Sequence, residues 1–257
     1  MNRTLRGLLI TGILGICVCG LASAEPPSGE GWQSLFDGKS LAGWAMKSEN
    51  KDAGIWKVAD ATIDCNPRAD LKGDNSLWSD KSFKDFELSL DWRIKETHGE
   101  YPVPTVLPDG TDKKGPDGKP IVTMMPNADS GIYLRGASKA QVNIWCWPIG
   151  SGEVYGYRMD DKMPADVRAG VTPKLKADKP VGEWNNFVIS MKGELLTVKL
   201  NGKTVIENAK LPGVPETGQI ALQSHGGFDP KTKEWNSASS LVQFRNLYIR
   251  ELKDGAK

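Results

Sequence analysis

Short runs in which apolar and polar residues alternate fill most of this chain. Gly, Pro, Asn and Asp break them up, and segments of helical period are nearly absent. Alternation with a period of two puts one set of side chains on each face of a strand. Many such strands separated by turn residues predict an all-β sandwich or barrel. Strands are expected over residues 55–65, 76–79, 86–95, 131–135, 141–147, 186–191, 195–200, 203–207, 219–223 and 241–252. Asn201-Gly202 is a two-residue hairpin signal joining 195–200 to 203–207, at or near a sheet edge. In the last run Val242, Phe244, Leu247 and Ile249 alternate with a break, which predicts a bulge near Arg245-Asn246.

The parity of four runs suggests a functional face. Phe86, Leu88, Leu90 and Trp92 fall on one side, and Glu87, Ser89, Asp91 and Arg93 on the other. Ile132 and Leu134 oppose Tyr133 and Arg135. Val142, Ile144 and Cys146 oppose Gln141, Asn143, Trp145 and Trp147. Ile220 and Leu222 oppose Ala221, Gln223 and His225. If these strands share one sheet, its polar face carries carboxylates, Arg, amides, Trp, Tyr and one His. Sugars call for that mixture, because their C–H faces stack on rings and their hydroxyls need directed donors and acceptors. The alternative is an ordinary solvated face with a small aromatic cluster.

The N-terminus changes the picture of where the protein works. Arg3 and Arg6 precede an apolar run over residues 8–21, and Ala22-Ser23-Ala24 supplies small residues before Glu25-Pro26-Pro27. This is the layout of a secretory signal peptide over residues 1–24, too short for a membrane anchor. A lipoprotein at Cys17 or Cys19 fits less well, since Ile16 and Val18 precede them. The expectation is an exported protein, periplasmic or extracellular after cleavage near Ala24, with residues 25–257 forming a single β-sandwich domain. Cleavage removes two Arg and no acid, taking the formal charge from +1 to −1. No charge surplus remains to favour nucleic acid or a membrane surface. Cys65 and Cys146 are left as a possible disulfide or as two buried thiols. The histidines are His98 and His225, with no Cys/His cluster of zinc spacing. Residues 98–127 carry six prolines between two expected strands and read as a long insertion, either a lid over a site or a surface excursion.

Several blocks, taken in order, resemble a known family. They are Gly31-Trp32-Gln33-Ser34-Leu35-Phe36-Asp37-Gly38 with Gly43-Trp44, then Asp85-Phe86-Glu87-Leu88, then Asp129-Ser130-Gly131-Ile132-Tyr133-Leu134-Arg135-Gly136. Gly182-Glu183-Trp184-Asn185, Gly218-Gln219-Ile220-Ala221-Leu222-Gln223-Ser224-His225-Gly226 and Val242-Gln243-Phe244-Arg245-Asn246-Leu247 follow. Together they are similar to the 3-keto-disaccharide hydrolases, formerly described as a domain of unknown function. The resemblance implies a concanavalin-A-like jelly-roll β-sandwich with a concave sugar-binding face, and action on sugars oxidised at C3. It departs from the family at Gln141-Val142-Asn143, where a Glu-Val-Gln strand is common. An amide at 141 removes an acid or metal ligand from that position.

A C3 ketone acidifies the C2 proton, so loss of that proton and departure of the C1 group give a β-elimination that water can reverse into net hydrolysis. The route needs a base near C2, an electrophile at the ketone oxygen and an acid for the leaving oxygen. His225 is the candidate base, since imidazole titrates near neutrality; otherwise it is a structural His bonded to a turn. Arg135 would polarise the ketone, or else pair with Asp91 or Glu87. Those carboxylates are themselves candidate bases or ligands of a divalent cation, the one cofactor left open. Arg93, Tyr133, Gln141, Asn143, Trp145, Trp147 and Gln223 are the candidate sugar contacts, with plain core as the alternative for the tryptophans. Glu153 and Tyr157 would line a rim. The expected partner is a 3-keto glucoside or disaccharide. The other readings are a non-catalytic carbohydrate-binding module and a laminin-like interaction domain.

Overall fold

The computed structural model describes residues 26–236 and 238–253. The signal-peptide segment lies outside them. In chain order the strands are β1 (Gln33–Ser34), β2 (Trp44–Met46), β3 (Trp56–Ala59), β4 (Thr62–Cys65), β5 (Leu77–Phe83), β6 (Phe86–Ile94), β7 (Glu100–Pro104), β8 (Val122–Pro126), β9 (Asp129–Leu134) and β10 (Ala137–Trp145). Two short helices follow, α1 (Tyr155–Arg158) and α2 (Ala165–Gly170). Then come β11 (Asn185–Lys192), β12 (Leu195–Leu200), β13 (Lys203–Lys210), β14 (Gly218–Leu222), β15 (Gly227–Asp229), β16 (Glu234–Asn236) and β17 (Val242–Glu251).

Two antiparallel sheets face each other as a jelly-roll sandwich. One runs β13-β12-β11-β6-β17-β4-β3, with β1 also on β17; the other runs β10-β9-β14-β5-β2. Their inner faces are the apolar sets of the alternation. Leu88, Leu90 and Trp92 from the larger sheet meet Ile132, Val142, Ile144 and Leu222 from the smaller one in a single buried cluster. The Trp92 and Phe187 rings lie 5.3 Å apart within it. The aromatic opening block closes one end: Phe36 and Trp44 are buried, and Trp44 Nε1 donates to Leu35 O at 2.6 Å.

The Asn201-Gly202 turn has both residues at positive φ and joins β12 to the edge strand β13, as its sequence predicts. The bulge near Arg245-Asn246 is also present, with Asn246 at φ 53° and a register shift between Arg245 and Tyr248. The strand expected over 55–65 is instead a hairpin, β3 to β4. Its turn, Asp60-Ala61, sits in the left-handed region without Gly or Asn (φ 49° and 54°). Pairing of β4 with β17 outweighs that local cost, which short-range turn chemistry does not reveal.

The proline-rich segment over 98–127 is an ordered ribbon. β7 pairs antiparallel with β8 from Glu100 opposite Pro126 to Pro104 opposite Val122, and bridges at Val106–Asp112 and Lys114–Pro120 extend it. A two-stranded ribbon tolerates proline because both strands are edges. Its inner side packs Val103, Tyr101 and Met125 on Trp145 and Trp147. Asp112 accepts from Arg158 Nη1 at 3.0 Å, and buried Arg158 is ion-paired to Glu153. Burial pushes Glu153 up to about 7 against the pull of Arg158. This Glu153–Arg158–Asp112 chain ties the ribbon to the sandwich. Cys65 and Cys146 are both free thiols.

Candidate functional site

The outer face of the five-stranded sheet carries a hollow of about 500 Å³. Register explains its shape. Across the sheet, Ala45 faces Trp78, Trp78 faces Ala221, Ala221 faces Tyr133 and Tyr133 faces Gln141. Alanine on either side of Trp78 leaves the two rings standing above small neighbours, with Trp78 and Tyr133 centroids 5.7 Å apart and planes at 48°. Lys47, Asp74, Trp78, Tyr133, Gln223 and His225 line the hollow.

Each of these groups is held by a second one. Asp74 accepts from Trp78 Nε1 at 2.7 Å and from the Ser76 amide at 3.0 Å, which fixes the indole. The Lys47 ammonium sits 3.4 Å from the centroid of that indole. Burial raises the Tyr133 hydroxyl above its ordinary range, opposed by the neighbouring Gln223 side chain. Gln141 Nε2 donates to Gln223 Oε1 at 2.5 Å and to Ser130 O at 3.1 Å. Its side chain lies flat across Gly131, where a Cβ would meet Gln141 Nε2 at 2.4 Å and Val142 O at 2.7 Å. Glycine in the Ser-Gly-Ile block is therefore what lets Gln141 reach Gln223.

His225 stands at the end of β14. Its backbone exchanges two bonds with Ser240, N–H to Oγ at 2.8 Å and O from N–H at 2.9 Å. Gly226 follows at φ 59°, where a Cβ would meet Ala238 O at 2.5 Å, so the chain can turn against residues 238–240 only without a side chain. The ring nitrogen Nδ1 lies 2.6 Å from Ala238 O. A carbonyl only accepts, so Nδ1 carries the proton, and in the neutral ring Nε2 is the lone-pair nitrogen. Asp129 Oδ2 lies 4.0 Å from Nδ1, and the Asp129 carbonyl accepts from Ser240 Oγ at 2.6 Å. Asp129 Oδ1 is buried without a hydrogen-bond partner among the described residues. Burial pushes the carboxyl up to about 6, partly offset by the charge of His225.

Several expected site residues lie elsewhere. β6 belongs to the other sheet, so Glu87, Asp91 and Arg93 point outward from the far side of the sandwich, away from His225. There Glu87 pairs with Arg250, Asp91 accepts from Asn186 at 3.0 Å and Asn246 at 2.7 Å, and Arg93 donates to Gln243 at 2.7 Å. Alternation assigned the right face of the strand, but a face does not name its sheet. Arg135 does not line the hollow and does not pair with Asp91 or Glu87. It sits past the end of β9 at φ 49° with its side chain 1% exposed, bound to Asp85 at 2.7 Å and to the carbonyls of Lys84, Gly193 and Pro215. Trp145 and Trp147 stack on each other at 4.0 Å beneath the ribbon and are no open sugar platform. Asn143 is buried, its backbone paired with Gly152 and Glu153. Glu153 and Tyr157 are buried as well and form no rim. Among the described residues, no three His, Cys, Asp or Glu side chains converge as a metal site, and no helix is long and apolar enough to cross a membrane.

The structure thus brings together Tyr133, Gln141, Gln223 and His225, and adds Lys47, Asp74, Trp78 and Asp129. The alternation shows Trp78 only as a strand member, and Asp129 enters only through the block that resembles the family. Lys47 and Asp74 lie in an aperiodic stretch and carry no local signal.

A family model described as the 3-keto-alpha-glucoside-1,2-lyase-like domain matches residues 31–250. Among solved structures, a putative glycosyl hydrolase from Parabacteroides distasonis ATCC 8503 is 19% identical, with 87% of this chain and 95% of that one covered at a TM-score of 0.53. A second putative glycosyl hydrolase from the same organism is 20% identical, with 86% and 99% covered at 0.51. At these identities the likeness is one of fold. No curated protein matches the chain.

Proposed function

The chain belongs to the family of 3-keto-alpha-glucoside-1,2-lyase-like domains, and from that premise we propose that its hollow binds a 3-keto glycoside and cleaves it by elimination across C1–C2, followed by hydration. The observation that carries this reading is the tautomer of His225. With Nδ1–H committed to Ala238 O, the other nitrogen is free to accept a proton in a hollow walled by Trp78 and Tyr133. The rings would take the C–H face of the sugar, and Gln223 and Asp74 its hydroxyls. In the first step the C2–H bond breaks to His225 Nε2, and the electron pair moves into C2 and the C3 carbonyl. In the second it returns to form C1=C2, the C1–O bond breaks, and the departing oxygen takes the proton. Water then adds at C1. Asp129 faces the imidazolium that forms in between and stabilises it. The sequence of residues 1–24 supports an exported protein.

A second reading rests on Gln141. Its amide, in place of the acid common in the family, donates to Ser130 O and Gln223 Oε1 inside the protein, which suits a carbohydrate-binding module without turnover. Incubation in D₂O with a methyl 3-keto-glucoside and with the unoxidised glucoside, followed by NMR, separates the two. C2 deuteration and release of methanol from the keto sugar alone are expected. Ligand-induced shifts without turnover would leave the binding module.

A further inference from the structure

Elimination from a 3-keto sugar puts a negative charge on the C3 oxygen before the C1 group leaves. A site that speeds this step needs a cation or strong donors aimed at that oxygen. Arg135, the cation offered by the signature block, is fully engaged with Asp85 and three carbonyls, with a side chain 1% exposed. The Tyr133 hydroxyl is uncharged, and burial raises it further above its ordinary range. Gln223 accepts from Gln141. Among the described residues that line the hollow, Lys47 is the single Lys or Arg.

Its placement follows from the edge strand. Ala45 of β2 faces Trp78 on the outer side, and Lys47 is the next residue of the same parity, just past Met46. Its ammonium contacts the Trp78 ring face, and that indole is in turn anchored through Nε1 to Asp74. A cation–π contact at an exposed position is weak. The charge is therefore positioned without being neutralised, and can leave the ring for a stronger anionic partner.

We propose that Lys47 is a catalytic residue of this site: its ammonium binds the C3 oxygen of the 3-keto sugar and stabilises the enolate while His225 removes the C2 proton. The inference rests on the reading of the hollow given above and names the group that reading lacks. No oxidant or reductant is consumed, since the electron pair that moves to oxygen returns when the C1–O bond breaks. The ammonium keeps its proton throughout, so the role is electrostatic and no imine forms.

The test uses the purified protein with K47M, K47R and H225Q variants, and methyl 3-keto-glucoside as the probe. K47M is expected to lower kcat by about 10²–10³-fold, with a smaller change in KM and an unchanged melting temperature, because the side chain is exposed. K47R is expected to recover at least about a tenth of the wild-type kcat, since a guanidinium also carries charge and stacks on indole. Turnover by K47M close to wild type, or K47R no better than K47M, would overturn the proposal. So would borohydride trapping of the keto sugar on Lys47. In each of these cases an inactive H225Q would leave the reading of the hollow standing. A wild-type protein that neither exchanges the C2 proton nor releases methanol removes that reading, and the role of Lys47 with it.

Discussion

The outer faces of the two sheets are built from the same kinds of residue and end in opposite states. On the larger sheet Glu87 pairs with Arg250 and Asp91 with Arg245 across strands, Arg93 donates to Gln243, and Trp184 lies within cation–π distance of both Arg93 and Arg245. On the smaller sheet the cation sits on a ring instead of a carboxylate and, among the described residues, a carboxyl oxygen of Asp129 is unpartnered and the imidazole keeps one nitrogen free. The polar composition of a face is thus a poor guide to function. What separates the two is whether cross-strand neighbours consume the hydrogen-bonding capacity. The small residues Ala45 and Ala221 prevent that around Trp78 on the smaller sheet.

Four measurements test this contrast. The largest effect is expected for His225→Gln, which should lower kcat on a 3-keto glucoside by about 10²–10⁴-fold. Asp91→Asn, on the satisfied face, should leave turnover unchanged in the same assay. Equal losses in both would erase the distinction. Arg135→Met should cost about 3–5 kcal/mol of stability in denaturant unfolding, because Asp85 loses its buried partner. Full stability with lost turnover would return Arg135 to the site.

Gly131→Ala should destabilise by about 1–3 kcal/mol and disturb the Gln141–Gln223 bond, since the backbone oxygen of Val142 cannot yield as a side chain would. The smallest effect is that of pH. Asp129 titrates near 6 when folded, above the roughly 3.9 of a free Asp. The folded protein therefore binds more protons between those values, and stability falls as pH rises through that window and stays lower above it. Asp129→Asn removes this loss, so it should gain of order 1 kcal/mol on wild type between pH 4 and pH 8. A constant difference across that range would show that the carboxyl is not held up by burial.

Much of the strand framework was legible because it is local. The alternation along 86–95 and the bulge at Arg245-Asn246 both appear as expected. The division of 55–65 into two strands was not legible, because Asp60-Ala61 lacks the Gly or Asn that marks a two-residue hairpin turn. The ordered ribbon over 98–127 was hidden by its prolines. Of the site, Tyr133, Gln141, Gln223 and His225 could be read from strand parity, whereas Lys47 and Asp74 could not, since nothing periodic surrounds them.

By itself the sequence determined the all-β class, the faces of most strands and, through its ordered blocks, the family resemblance. These depend on residues two apart or on fixed local patterns. Only the tertiary structure decided which strands share a sheet, that Arg135 belongs to Asp85, that Trp145 and Trp147 lie under a ribbon, and that Lys47 meets Trp78. Hydrogen-bond partners between strands are chosen over separations of tens to more than a hundred residues. Alternation fixes the side on which a side chain stands, and only the paired sheet supplies its neighbours.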